Sequence, residues 1–287
     1  MRRGRWDLLL GILLLAVGGC ATVQSQTAPT STLDKLTATR MIALGYRDSS
    51  IPFSYVGADQ KPVGYSVELC TRIAADLQRQ IPNLQVQWVP VTVESRIPAL
   101  LNGTIDLECG STTNTLARQE QVDFSLTTFL TGGSLLTLAE APVGAELRSL
   151  RIAVIPGTTT EQVLKTAVTQ SGAAVQFVAV PDHAAGLAAL EQRSADAYAS
   201  DRIILIGLAL AAPNPGRFAL ADLYFSYEPY ALMLRRGDAD FRLSVNRVLA
   251  RLYRSGEIVQ VYERWFGSFE RTSNLLQAMY LLHSFPE

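Results

Sequence analysis

Histidine is nearly absent from this 287-residue chain, with only His183 and His283, and cysteine occurs three times. There is no Cys-x-x-Cys and no His-Glu-x-x-His pattern, so a zinc site is not expected, nor is any other metal or cofactor. An excess of charge of one sign is also missing. The 25 Lys and Arg residues stand against 26 Asp and Glu, a formal net charge of −1. No basic run occurs beyond the first few residues, which argues against nucleic acid as a partner. After the N-terminal segment no stretch is apolar enough to span a bilayer. No pair of carboxylates stands at a spacing that reveals general acid–base work. Glu108, between Leu107 and Cys109, is expected to face away from a cleft or to pair internally.

What is present begins with an export signal. Residues 1–20 carry Arg2, Arg3 and Arg5, an apolar run from Leu8 to Val17, and then Gly18-Gly19-Cys20. The run is short for a membrane span, and small residues before a cysteine suit a peptidase that leaves Cys20 as a lipid-bearing N-terminus. The segment resembles a bacterial lipoprotein signal with its lipobox. An uncleaved anchor and a non-lipidated secretory signal are the alternatives, and Arg2-Arg3 is similar to a twin-arginine export signal. All place the protein outside the cytoplasm, in the periplasm or at the cell surface, and the lipoprotein reading anchors it to a membrane through lipid. Residues 21–32, mostly Ala, Thr, Gln, Ser and Pro, lack the apolar groups needed to order themselves and read as a flexible tether.

The remaining roughly 250 residues suffice for two lobes of ordinary domain size. Apolar strand-like runs alternate with helical patterns: Met41 to Tyr46, a helix over Val67 to Arg79, Leu84 to Val91, Ser95 to Leu101, and Ile105 to Cys109. A second series follows Gly132-Gly133: Arg151 to Ile155, a helix after Thr158, Val175 to Val180, a helix from His183, Ala195 to Ser200, and a helix from Asp201. Such alternation predicts an α/β fold with largely parallel sheets. The expected division is a first lobe over 33–131, a second over 132–226, and a return to the first over 227–287. That return holds the strand Tyr230 to Arg235 and helices over Ala239 to Tyr253 and Glu257 to Phe266. From the apolar spacing alone, those helices fit either lobe. Two α/β lobes in one chain form a cleft at the carboxyl ends of their strands, where ligands of open sheets sit.

Two motifs point to an anion in that cleft. Ile105 to Thr128 ends a strand on Gly110-Ser111-Thr112-Thr113 and opens a helix carrying Arg118. A helix start offers unpaired N–H groups and positive dipole, and a guanidinium one turn in can close a fork on the same carboxylate. In the second lobe, Pro156-Gly157-Thr158-Thr159-Thr160-Glu161 follows a strand and contains Thr158-x-x-Glu161, the pattern of a capping box. Phe53, Tyr55 and Tyr65 are either ordinary core aromatics or a cover for a ligand's aliphatic part.

The segments Gly45 to Tyr55, Ser95 to Thr115, Arg118 to Ser125 and Pro156 to Glu161 resemble the extracytoplasmic solute-binding proteins that feed polar amino acids to ABC importers, especially those for glutamate and aspartate. The resemblance runs from about residue 33 to 266. It implies a two-lobed periplasmic-binding-protein-like fold of type II with the ligand cleft between the lobes. It also implies a small-molecule amino acid ligand, an ABC permease as partner and a monomer. Carried over position by position, it assigns the ligand α-carboxylate to Arg118 and the N–H groups of Thr113 and Thr158. The ammonium falls to Asp201, the Thr113 hydroxyl and the Ser111 carbonyl. A side-chain carboxylate would meet Arg47, Arg96, the Ser111 side chain and His183. A dianionic, monocationic ligand does need more cationic partners than anionic ones.

Two positions depart from that pattern. Val93 stands where a serine hydroxyl would meet the distal carboxylate, with Thr92 and Ser95 nearby. Ala231 stands where a cysteine would pair with Cys109, so Cys70 and Cys109 are expected as two buried thiols, although spacing leaves a disulfide between them open. The resulting expectation is a receptor for L-glutamate or L-aspartate that is not an enzyme. Binding of glutamine or asparagine, a cleft enzyme of the same fold such as a dehydratase, and a ligand sensor are the rivals.

Overall fold

The computed structural model describes residues 31–142, 149–267 and 272–286. The signal, Cys20 and most of the tether lie outside that range. The tether's last residue, Thr32, instead opens a helix. Ser31 caps it, and the Thr32 N–H donates to Asp238 Oδ2 at 2.8 Å.

The first half runs α1 (Thr32–Thr39), β1 (Met41–Tyr46), β2 (Ser49–Ser50), β3 (Ser54–Val56), β4 (Pro62–Val63), α2 (Tyr65–Gln80), β5 (Gln85–Pro90), α3 (Arg96–Leu101), β6 (Leu107–Glu108), α4 (Leu116–Gln119) and β7 (Val122–Thr131). The second runs β8 (Gly133–Leu138), β9 (Arg151–Val154), α5 (Thr159–Ser171), β10 (Gln176–Ala179), α6 (His183–Glu191), β11 (Ala197–Asp201), α7 (Arg202–Ala211) and β12 (Phe218–Leu220). The chain then returns as β13 (Glu228–Arg235), α8 (Ala239–Ser255), α9 (Glu257–Phe266) and α10 (Asn274–Leu282).

Two five-stranded sheets result, ordered β5-β1-β6-β13-β7 and β10-β9-β11-β8-β12, beside a small β2-β3-β4 sheet. β1 pairs in parallel with β5 and β6, and β9 with β10 and β11. The sheets are nonetheless mixed. β13 runs against both β6 and β7, and β8 against both β11 and β12. Each opposing strand arrives from the other sheet. It enters at the end where the parallel strands stop, as the pairing of Gly133 with Asp201 shows, so it must run backwards.

Where the chain crosses, its two connecting segments lie in direct contact. A Cβ on Gly132 would stand 2.4 Å from the Ser226 carbonyl oxygen, and one on Gly133 2.5 Å from the Phe225 ring. Larger residues would force the segments apart.

β1 is buried along its middle, as expected of a strand covered on both faces. The inner stripe of α2, Leu69, Cys70, Ile73, Ala74 and Leu77, repeats at helical spacing. Phe53 packs edge-on against Tyr65, Phe129 and Tyr230, and Phe266 closes the cluster. Phe53 and Tyr65 are therefore core, and Tyr55 packs edge-on against Trp265. The C-terminal helices join the first sheet: α8 and α10 lie on β7, and the Tyr280 hydroxyl meets that of Tyr65 at 2.9 Å.

The expectation of two thiols is corrected. Cys70 on α2 and Cys109 just past β6 form a disulfide, with Cα atoms 6.1 Å apart. The inner stripe of α2 settles directly over the end of β6, so Cys109 finds a partner in the helix above it where Ala231 offers none.

Candidate functional site

Each residue of the site stands where a strand ends or a helix begins. Arg47 follows β1, Arg96 opens α3, Ser111 and Thr113 form the turn after β6, and Arg118 lies on α4. From the second sheet, Thr158 caps α5, His183 opens α6 and Asp201 ends β11. All eight line one cavity, together with Val93, Thr159, Thr160 and Ser200. The cavity is about 30 Å³, room for a water or two.

Three guanidinium groups converge on this space. Arg47 and Arg96 are almost fully buried, at 3% and 4% exposure. Burial first, then the neighbouring charge of Arg96, pulls the pKa of Arg47 and of Arg118 down to about 10. Burial also lowers that of Arg96, against the opposing pull of Glu108. All three stay cationic at neutral pH. None takes part in an ion pair among the described residues. Arg96 Nη1 donates to the Thr112 hydroxyl at 2.6 Å, which in turn donates to Glu108 Oε2 at 2.9 Å. Arg96 Nε and Glu108 Oε1 remain buried without a hydrogen-bond partner among the described residues. Glu108 thus lies beneath the site and reaches Arg96 through one hydroxyl. Buried cations so incompletely paired are costly, which is the condition of a site built for an anion.

Backbone donors add to this. The N–H groups of Thr113 and Thr158 have no hydrogen-bond partner among the described residues. At Thr158 the reason is local. The Thr158 hydroxyl accepts from Glu161 N at 3.2 Å, but the Glu161 carboxylate reaches back to Gly157 N at 2.8 Å, one residue past the Thr158 N–H that would close the box. The capping motif is half made, and Thr158, whose N–H it leaves open, lines the cavity. The first-lobe turn differs from expectation. α4 is only four residues long and capped by Thr115, so its dipole is small. Arg118 takes over the bridging role, with Nη1 donating to Thr113 O at 2.7 Å and Nη2 reaching Gly157 O at 3.5 Å on the other lobe.

The acidic side holds a residue not foreseen. Asp201 stands at the N-cap of α7 without capping it. Its carboxylate instead accepts from Tyr230 OH and, at 3.4 Å, from the Thr160 hydroxyl. Burial, then the charge of Glu228, raises its pKa to about 7. Glu228, 1% exposed at the start of β13, accepts from Thr113 at 2.5 Å, Thr159 at 2.7 Å and Ser226 at 2.6 Å. One carboxylate thereby holds a hydroxyl from each lobe. An acid opening an apolar strand at the second crossover was its only signal in the sequence.

His183 is neutral. Burial and the cations Arg47 and Arg96 hold its pKa near 3, and Nδ1 lies 2.6 Å from the Tyr198 hydroxyl. Val93 lines the cavity, but Thr92 and Ser95 do not replace a serine there. They bond each other, Thr92 N to Ser95 Oγ at 2.9 Å and Ser95 N to Thr92 Oγ1 at 3.1 Å, and brace the entry to α3. Among the described residues no cluster of three or more His, Cys, Asp or Glu forms a metal site, and no helix is long and apolar enough to cross a membrane.

Residues 42–268 match the family described as bacterial extracellular solute-binding proteins, family 3. The chain is a member of that family. It is 37% identical over 242 residues to the L-glutamate/L-aspartate-binding protein of Pseudomonas aeruginosa, covering 83% of this chain and 80% of that relative. It is 35% identical over 261 residues to the glutamate/aspartate import solute-binding protein of Escherichia coli K12, covering 89% and 86%. Among solved structures, an ancestral arginine-binding protein bound to arginine matches at a TM-score of 0.70 and 26% identity, over 79% of this chain and 98% of that one. An ancestral amino acid-binding protein described as a precursor of cyclohexadienyl dehydratase matches at 0.69 and 25%, over 82% and 99%. The family member thus has the expected two-lobed α/β fold of type II.

Proposed function

We propose that this protein is the amino acid receptor of an ABC importer, closing its two lobes around L-glutamate or L-aspartate and presenting the closed form to a membrane permease. The observation that carries the reading is the convergence of Arg47, Arg96 and Arg118 on one cavity with no ion-pair partner among the described residues. The relatives named for glutamate and aspartate support the same ligand class.

The roles are those the resemblance implies, and the shared cavity supports them. Arg118, with the open N–H groups of Thr113 and Thr158, suits the α-carboxylate. Asp201 suits the ammonium, whose charge would restore its ionised form. Arg47, Arg96, His183 and the Ser111 side chain suit the distal carboxylate, and the Ser111 carbonyl suits the ammonium. Since about 30 Å³ is less than an amino acid needs, the lobes must part to admit the ligand. Contacts with both lobes then favour closure by population shift. Lipid attachment at Cys20, an extracytoplasmic location tied to a membrane, and a monomeric state complete the proposal.

Calorimetry on protein lacking residues 1–20 tests it. Binding heat with glutamate or aspartate, exceeding that with glutamine or asparagine, is the expected result, and silence across the amino acids rejects it. A second reading has one observation in its favour. A buried carboxyl near neutrality, Asp201 beside Glu228, is what a dehydratase needs as a general acid, and one structural relative is described as a dehydratase precursor. Product formation from cyclic amino acid precursors would favour that reading.

A further inference from the structure

We infer that Tyr198 is a positioning residue that fixes the tautomer of His183, so that Nε2–H faces the cavity as a donor and the site prefers a carboxylate to an amide. The inference rests on the receptor reading and names what sets its selectivity.

A neutral imidazole has one donor nitrogen and one acceptor, and the partner of one decides the role of the other. His183 Nδ1 lies 2.6 Å from the Tyr198 hydroxyl, with the two residues 5% and 0% exposed. Either group could supply the hydrogen in that bond. Burial keeps the phenol protonated. Nδ1 is the sole hydrogen-bond partner of the Tyr198 hydroxyl among the described residues, so a bond in which Nδ1–H donated would leave the buried phenolic hydrogen without an acceptor. The phenol therefore turns its hydrogen to Nδ1. The imidazole proton is then on Nε2, which has no hydrogen-bond partner among the described residues.

The same helix clears space for the ring. Gly186, one turn beyond His183 on α6, is the position where a Cβ would stand 2.4 Å from Tyr198 Cε2. Only a bare backbone lets the phenol lie beneath the histidine.

Selectivity follows from the donor count. Arg47 and Arg96 have no acceptor to offer. With Nε2 protonated, Arg47, Arg96 and His183 present donors alone on the distal wall, and a hydroxyl such as that of Ser111 is left to accept. A carboxylate accepts from all three, whereas a glutamine amide that turns its NH2 group toward one of them meets another donor, and a desolvated mismatch of that kind is expensive. Without the Tyr198 hydroxyl, the neighbouring guanidinium groups favour a lone pair on Nε2. The histidine then becomes an acceptor for the amide.

Two measurements test this. The chain has only two histidines, so ring ¹⁵N spectra of the purified protein, with His283→Gln for assignment, read the His183 tautomer directly. The expected result is Nε2–H in the wild type and a shift toward Nδ1–H in Tyr198→Phe. Alongside, the preference for glutamate over glutamine should fall about tenfold in Tyr198→Phe, a difference of the size one mismatched buried donor makes. Nδ1–H in the wild type overturns the inference, and that spectrum decides the matter even if the variant does not fold. An unchanged tautomer and an unchanged preference in a folded Tyr198→Phe overturn it too. Failure of the wild type to bind any amino acid sinks the receptor reading and the selectivity claim with it, an outcome that calorimetry separates from the tautomer result.

Discussion

Affinity for an acidic amino acid should fall as pH drops below neutral, and the cause is Asp201. Burial, reinforced by Glu228, lifts its pKa to about 7 in the ligand-free protein. The ligand's ammonium requires the ionised form, so binding below that pH must first remove a proton. Each unit of pH then costs about 1.4 kcal/mol, and Kd at pH 5 should be roughly 100-fold weaker than at pH 8. His183, with its pKa near 3, does not titrate in this window, and the free ligand's carboxylates remain ionised above about pH 4.3.

Calorimetry in buffers of different ionisation heat should record release of about one proton per ligand near pH 5 and almost none at pH 8. Glu228→Gln should move the midpoint to lower pH, because it removes the second cause of the shift. The corresponding stability effect has a definite sign. A carboxyl whose folded pKa is raised contributes stability below its unfolded value of about 3.9, and that contribution is lost as pH rises through about 7. The ligand-free protein therefore loses this contribution toward pH 8, and saturating ligand offsets the loss. A Kd that stays flat from pH 5 to 8 would refute the reasoning.

Other consequences are open to direct measurement. Arg96→Ala should weaken glutamate by roughly 10²–10³-fold, within the cost of stranding a buried charge, and glutamine far less. Equal losses for the two ligands would contradict the role given to Arg96. Reducing the Cys70–Cys109 disulfide, whose partners stand 39 residues apart, should lower stability by roughly 2–4 kcal/mol, seen as a lower Tm in scanning calorimetry with reductant. Tyr280→Phe removes a hydroxyl shared with Tyr65 and the Thr128 carbonyl. It should cost about 1 kcal/mol in denaturant titration and leave ligand affinity unchanged, because α10 packs on β7 and α8 and neither Tyr65 nor Tyr280 lines the cavity.

Much of this molecule could be read along the chain. Alternating strands and helices announced an α/β fold, and the eight positions named for the site do meet at one cavity. The eight positions came from the resemblance to the solute-binding proteins, and topology gives the physical reason they meet: Arg47, Ser111, Thr158, His183 and Asp201 each mark a strand end or helix start, and in open sheets those ends gather on one side. Local signals also set the half-made capping box at Thr158. What the tertiary structure alone decided depends on sheet order. Insertion of β13 between β6 and β7 brings Glu228 beneath Thr113, more than a hundred residues away in sequence, and lets it hold Thr159 from the opposite lobe. Settling α2 over β6 gives Cys109 its partner, and the packing of α6 on β11 sets Tyr198 under His183. Hydrophobic periodicity states which face of an element is buried but not which neighbour it meets, and these three pairings are all matters of the neighbour.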